Sequence, residues 1–459
     1  MSDLCRFVKA YDVRGTVPDQ LNAQVARAFG AAFVRVLRRE APVPTIVIAH
    51  DMRPSSPELA ESFAAGVNSE GTDVVLAGLA STDMLYFAAG YLDQPGVMFT
   101  ASHNPARYNG IKLCRAGAKP IGLETGLAEI RDEAQVLIDG ASVFGDGTGR
   151  VEPRDLLIDY AEYLRRLVDL SGIRPLKVVV DAGNGMAGYT VPAVLGDAKL
   201  DPLPLDIIPL YFELDGTFPN HEANPLEPKN IIDLQAAVRK HDADLGLAFD
   251  GDADRCFVVD ENGAPVSPSA ITALVASREL AKHPGATIIH NLITSTAVPE
   301  IVRERGGEPL RSRVGHSFIK AEMARTGAVF GGEHSAHYYF KDFWGADTGM
   351  LAAMHVLAAL GEADEPLSQR SAEYERYASS GEINSTVTDQ PAKLVEVERR
   401  FGLGNKVDHL DGLTVRFPDG AWINLRPSNT EPLLRLNVEA PSPDRMAQLR
   451  DEVLSAVRS

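Results

Sequence analysis

The chain is short of positive charge and of cysteine, and it lacks long apolar runs and a nucleotide-binding glycine loop. With 63 Asp and Glu against 45 Lys and Arg, its formal net charge is −18. A surface of that sign repels phosphate backbones, so no nucleic-acid partner is expected. Three cysteines, Cys5, Cys114 and Cys256, are odd in number and far apart, with no CxxC pair. That argues against a thiolate zinc site or a disulfide framework and fits free thiols in a reducing compartment. No stretch of about 18 residues is apolar throughout, so no membrane-spanning helix is expected. The opening residues, Met1 to Phe7, carry no apolar core for a signal peptide, and a cytoplasmic location is expected. No GxxxxGK[ST] occurs, which argues against a nucleotide as phosphoryl donor. If the substrate is anionic, its site must be a local concentration of Arg and Lys, or a cation must intervene.

Three segments share one plan of β-rich run, polar or glycine turn, then helical pattern. The runs are 45–49, 177–180 and 287–289, and the spacing predicts amphipathic helices over 57–68, 186–195 and 296–305. Units of this kind recurring in series point to three similar α/β domains. The last 80 or so residues differ: strand-like 414–417, 422–425 and 433–438 form an antiparallel meander, closed by a helix over 443–457. Turn formers accumulate at 145–149, 260–263 and 375–381. The expected domains are therefore 1–150, 151–263, 264–376 and 377–459, the last of them α+β.

Thr100-Ala101-Ser102-His103-Asn104-Pro105 follows the apolar run 96–99, and Asn104-Pro105 turns the chain. A hydroxyl is thus delivered at a strand end beside an imidazole, with Lys112 ten residues on. Serine is a poor nucleophile unless a base or metal activates it, and the alternative is a turn whose hydroxyl only caps backbone. Asp250-Gly251-Asp252-Ala253-Asp254-Arg255 lies between two apolar, β-like runs. Three carboxylates at alternate positions repel one another unless a cation is present, and oxygen-only ligands suit a hard ion such as Mg²⁺. An EF-hand would also place Glu261 at its twelfth position, but Arg255 stands where that loop needs glycine, and the flanks are strands.

Arg426-Pro427-Ser428-Asn429-Thr430 offers a guanidinium, two hydroxyls and an amide after a strand, the makings of a phosphate cradle. Arg435 on the next strand reads as a structural ion pair. Glu333 and Ser335 stand two apart before the aromatic strand 338–340; in an extended segment they point the same way, which suits paired sugar hydroxyls. His334 and His337 flank that pair and read equally well as loop surface. Asp181-Ala182-Gly183-Asn184-Gly185 is explained by a tight βα turn as well as by anion binding.

These pieces occur in a fixed order: serine loop, acidic loop, hydroxyl-binding loop and phosphate loop. In that order, and with Tyr11-Asp12-Val13-Arg14-Gly15 near the start, the chain resembles the α-D-phosphohexomutase superfamily, in its phosphomannomutase/phosphoglucomutase branch, over nearly its whole length. The resemblance implies a heart-shaped, four-domain α/β architecture with the active site in a central cleft: three similar α/β domains with mixed sheets and a C-terminal α+β domain. It implies a phosphoserine at Ser102, with Mg²⁺ held by Ser102, Asp250, Asp252 and Asp254. Arg14, Arg255, Lys112 and His103 would be the catalytic surroundings, with Lys112 or His103 the candidate acid/base. Tyr11, His316, Glu333, Ser335 and His337 would meet the sugar, and Arg426, Ser428, Asn429 and Thr430 the phosphate that does not react. The implied reaction interconverts mannose 1-phosphate and mannose 6-phosphate through a bisphosphorylated hexose, with glucose phosphates as further substrates. Hexose 1,6-bisphosphate is the expected activator, hexose phosphates the only partners, and the expected state a monomer or weak homodimer. Phosphoglucomutase, phosphoglucosamine mutase and a non-catalytic sugar-phosphate-binding protein are the alternatives. Two positions depart from some relatives: Ile293 stands where a lysine can occur, and Thr296 where a basic residue can.

Overall fold

The structure is a computed structural model that describes residues 3–428 and 433–459. The chain forms two compact units, one of residues up to Val266 together with Ser335–Ser368, the other of Ser267–His334 together with Gln369–Ser459.

The first unit holds two mixed sheets. In one, the strand Thr45–His50 lies parallel to Asp73–Leu79 and Gly96–Phe99, while Tyr108–Arg115 runs antiparallel to Gly96–Phe99 and to Val13–Thr16. All four residues of Gly96–Phe99 are buried, as a central strand with apolar layers on both faces requires. Helices Ala23–Arg38 and Ser56–Ser69 cover it, and a β-carbon on Gly66 would lie 2.0 Å from the Arg27 carbonyl oxygen, so glycine permits the close approach of the two backbones. In the other sheet, Leu176–Asp181 is parallel to Leu205–Leu210 and Leu245–Phe249, and the latter pairs antiparallel with Cys256–Asp260. Helix Gly349–Gly361 is apolar around its whole circumference and buried along its whole length.

In the second unit, Glu308–Ser312, Thr287–Asn291 and Phe330–Gly332 are parallel strands with helices Pro268–Lys282, Ala297–Glu304 and His316–Thr326. Five antiparallel strands follow in the order Ala378–Thr386, Leu433–Ala440, Trp422–Pro427, Leu413–Arg416 and Lys406–Asp408. Their inner face packs on helices Gln390–Phe401 and Pro443–Arg458 around Leu425, Leu436, Leu449 and Val453. The three α/β helices expected from periodicity form as Ser56–Ser69, Ala187–Val194 and Ala297–Glu304. No helix among the described residues is long and apolar enough to cross a membrane.

Candidate active site

Beyond Phe99 the chain leaves its strand, and Ser102 takes a left-handed conformation with φ of +50°. Its N–H donates to the Thr100 hydroxyl at 2.9 Å, and the Asn104 N–H donates to the Ala101 carbonyl at 3.0 Å, closing the turn. The Ser102 hydroxyl is thereby held 2.8 Å from Asp250 Oδ2, to which it donates.

Asp250 to Arg255 connect the antiparallel strands Leu245–Phe249 and Cys256–Asp260, with Phe249 and Cys256 in register. The short loop, which turns through Ala253 at φ of +59°, brings the three Asp carboxylates within 4.8 Å of one another, all buried. Two cations offset part of this charge. Lys112 Nζ donates to Asp252 Oδ2 and Asp254 Oδ2, both at 2.7 Å. Arg255 donates to Asp250 Oδ2 from Nη2 at 2.7 Å and from Nε at 3.0 Å. Asp252 Oδ1 and Asp254 Oδ1 are buried and accept no hydrogen bond. Carboxylate oxygens left open in an all-oxygen cluster fit a hard divalent cation, since burial without any partner would be costly.

The electrostatics follow. Burial pushes the Asp250 carboxyl up to about 8, against the pull of Arg255. Asp252 goes the other way, because Lys112 and the Thr82 hydroxyl outweigh the cost of burial. Lys112 is held well above the ordinary ammonium range by Asp252 and Asp254, also against burial. His103 is pushed well below 6.5 by burial and by the Arg255 and Arg14 guanidinium groups, and its Nδ1 lies 2.6 Å from Arg255 Nη2. A neutral imidazole and a cationic ammonium thus flank the serine and its carboxylates.

Comparison with known proteins decides what this arrangement belongs to. Domain profiles described as phosphoglucomutase/phosphomannomutase, alpha/beta/alpha domains I, II and III, match residues 6–136, 159–263 and 267–377, and that family's C-terminal domain matches 382–456. The chain belongs to the phosphoglucomutase/phosphomannomutase family. It is 41% identical to the phosphohexose mutases of Xanthomonas campestris pv. campestris over 451 residues, 97% of this chain and 98% of that one. It is 38% identical to the phosphomannomutase of Escherichia coli K12, covering 97% of each. A crystal structure of a phosphoglucomutase/phosphomannomutase family protein from Burkholderia thailandensis superposes with a TM-score of 0.87 at 34% identity, covering 100% of this chain and 98% of that one. As a member of this family the protein is a phosphohexomutase, an isomerase built from four domains.

Within the family member's first unit the structure gathers most of the residues singled out from sequence. Ser102, His103, Lys112, Asp250, Asp252, Asp254 and Arg255 form one cluster of two hydrogen-bonded sets, Ser102, His103, Asp250 and Arg255 in one and Lys112, Asp252 and Asp254 in the other, with Arg255 Nε 3.8 Å from Asp254 Oδ1. Arg14 reaches its edge, donating to Asn104 Oδ1 at 2.6 Å and to Asp12 at 2.5 Å. His337 Nε2 lies 3.9 Å from Asp254 Oδ1, while its Nδ1 is 3.0 Å from the Ser335 hydroxyl. Tyr11 is half-buried just before the strand Val13–Thr16.

The second unit holds the remainder. The Glu333 carboxylate accepts from the Gly315 N–H at 3.0 Å, next to His316 at a helix start, and from Asn291 Nδ2 at 3.2 Å. The expectation that Glu333 and Ser335 share a direction is corrected: the strand ends at Gly332, the chain turns through His334 and Ser335, and period-two alternation does not apply. His334 is half-buried; its Nδ1 lies 3.1 Å from the Ser269 hydroxyl, and desolvation lowers its pKa. Arg426 is buried and donates to Glu382 at 2.5 Å, and Arg435, its cross-strand neighbour, lies 3.5 Å from the same carboxylate. Ser428 is half-buried, and Asn429 and Thr430 lie outside the described residues. The two departures have a packing reason: Ile293 is buried against Leu292 and Trp422, whose indole N–H donates to the Thr296 hydroxyl at 3.0 Å.

Sequence reasoning missed Arg53, Thr82 and Asp347. Thr82 donates to Asp252 Oδ2 at 2.6 Å, and Asp347 clusters with Asp254 and His337. Only Arg53 left a trace in the sequence, as a guanidinium two residues after Asp51 at a strand end.

Proposed function

We propose that this phosphohexomutase interconverts mannose 1-phosphate and mannose 6-phosphate through a phosphoserine at Ser102 and a bisphosphorylated hexose, and also accepts glucose phosphates. The observation that carries the reading is the hydroxyl of Ser102 at 2.8 Å from a buried three-carboxylate loop that retains two unbonded oxygens. The name phosphomannomutase borne by the Escherichia coli relative supports mannose.

Asp250, Asp252 and Asp254, with the Ser102 oxygen, would hold Mg²⁺. When bound, the ion neutralises phosphate charge and polarises the ester. The residues of the chain do the rest. Arg255, 3.4 Å from Ser102 Oγ and 2.7 Å from Asp250, is placed to donate to phosphoryl oxygens on the serine. In the transfer, the P–Oγ bond of phosphoserine breaks and a P–O bond to the sugar hydroxyl forms. The hydroxyl proton passes to His103, which is neutral and whose Nδ1 is freed as Arg255 turns to the phosphoryl group, and from there to the departing Ser102 Oγ, 3.2 Å away. Lys112, fixed as a cation by two carboxylates, stabilises the charge on the transferring group. The bisphosphate then turns over, its other phosphate returns to Ser102 and the proton is given back, so the net reaction is an isomerisation. Arg14, Tyr11, His316, Glu333, Ser335 and His337 are assigned to the sugar phosphate's hydroxyls and orientation. Arg426, Ser428, Asn429 and Thr430 are assigned to the phosphate that does not react.

The test is kcat/KM for mannose 1-phosphate and for glucose 1-phosphate, with Mg²⁺ and a trace of hexose 1,6-bisphosphate. A higher value for mannose 1-phosphate is expected. Turnover restricted to glucose phosphate or to an amino-sugar phosphate would overturn the substrate assignment.

A further inference from the structure

Arg53 is among the largest fully buried side chains of the molecule, yet it lies in no position where a sugar phosphate contact has been assigned. It follows the strand Thr45–His50, where Asp51 accepts from the Arg53 N–H at 3.0 Å and from Nε at 3.1 Å. The Ser56 hydroxyl donates to the same carboxylate at 2.6 Å. The guanidinium then reaches the serine loop. Nη2 donates to the carbonyl oxygens of Ser102 at 2.8 Å and Asn104 at 2.7 Å. Nη1 donates to those of Pro105 at 3.0 Å and Tyr108 at 2.9 Å. All five N–H donors of the side chain are thus used, four of them on backbone carbonyls between residues 102 and 108. The outer face of the guanidinium lies 5.1 Å from the centre of the Phe218 ring.

The spacing of these bonds matters because Ser102 is a non-glycine residue at φ of +50°, a conformation that persists only where the surroundings over-determine it. A buried charge that satisfied one carbonyl would be a poor bargain. One that satisfies a carboxylate and four carbonyls fixes a whole loop, and it does so from behind, leaving the hydroxyl free to face Asp250.

We infer that Arg53 is a positioning residue for phosphoryl transfer, holding the serine loop in the left-handed form that aims Ser102 Oγ at the acidic loop. The inference rests on the phosphoserine reading above. Lysine cannot replace it: an ammonium has three donors on one point and cannot span four carbonyls and a carboxylate.

The experiment is the rate at which glucose 1,6-bisphosphate phosphorylates Ser102, read by intact mass in the presence of Mg²⁺, together with kcat and KM per folded molecule. In that step a sugar O–P bond breaks, the Oγ–P bond forms, and the serine proton goes to the sugar oxygen. Wild-type enzyme that never gains the phosphate would sink the phosphoserine reading itself. With wild type phosphorylated, Arg53→Lys is expected to slow the step about a hundredfold, the scale of a 1 Å misplacement, with KM within a few-fold of wild type. Phe218→Leu removes only the ring over the guanidinium and is expected to slow it about threefold with an unchanged melting temperature. If Arg53→Lys does not accumulate as folded protein, Phe218→Leu decides alone. An unchanged phosphorylation rate in every variant that folds overturns the inference and leaves Arg53 as a stability residue only.

Discussion

Gly251 and Ser102 approach so closely that a β-carbon on the glycine would lie 2.5 Å from the serine's carbonyl oxygen. They are the first turn residue of the acidic loop and the left-handed residue of the serine loop, so this contact sets the distance between hydroxyl and carboxylates. No real β-carbon tolerates that separation, and a side chain here must push the loops apart. Gly251→Ala is expected to lower kcat about ten- to a hundredfold with the protein folded. Unchanged kcat would show that the loops can shift at no cost to the chemistry.

Ser102→Ala removes the hydroxyl that the proposed reading phosphorylates. Turnover is expected to fall about a thousandfold or more, with circular dichroism unchanged because the side chain is small and its backbone bonds remain. Mass spectrometry of the variant after incubation with hexose bisphosphate should find no added phosphate, and an 80 Da gain, the mass of one phosphoryl group (about 80 Da), would place the acceptor elsewhere.

Asp252→Asn removes a charge from the cluster and a partner from Lys112 while keeping the size of the side chain. Mg²⁺ should bind at least about tenfold more weakly by calorimetric titration, a loss seen when even an outer partner of a metal ligand is removed. An unaltered titration would argue against these carboxylates as the metal site.

Asp83, next to Thr82, offers a pH test at a residue given no part in the chemistry. It is buried, and accepts from the Tyr160 hydroxyl at 2.6 Å, from the Thr348 hydroxyl at 2.7 Å and from Ser81. Burial raises its pKa from 3.8 to about 6, although these hydrogen bonds work against the rise. A carboxyl whose folded pKa lies above its unfolded value contributes stability that is fully present below about pH 4 and is lost as pH rises through 6. The loss amounts to about 3 kcal/mol. The stability of Asp83→Asn relative to wild type, from denaturant midpoints, should therefore improve between pH 4 and pH 7. A difference independent of pH would mean that Asp83 titrates normally.

What the sequence determined by itself is local. Periodicity placed the helices Ser56–Ser69, Ala187–Val194 and Ala297–Glu304, because apolar residues three and four apart must share a buried face. Three Asp at alternate positions between two apolar runs marked a carboxylate cluster that a cation would relieve, and the two runs pair as an antiparallel hairpin around it. The order of the motifs was enough to point to the family. What the tertiary structure decided is which groups answer one another across long stretches of chain. Lys112 meets Asp252 and Asp254 from the neighbouring sheet, and Thr82 meets Asp252 from a helix start. Glu333 turned to Gly315 and Asn291 while Ser335 turned to His337, because a tight turn broke the alternation that two-residue spacing suggested. Arg53 shows the limit most clearly. Asp51, two residues before it, hints at one partner, but nothing nearby foretells that the other four donors meet carbonyls some fifty residues away. Sequence periodicity records which face of an element must leave water, whereas the partner of a buried charge is settled only when packing brings the elements together.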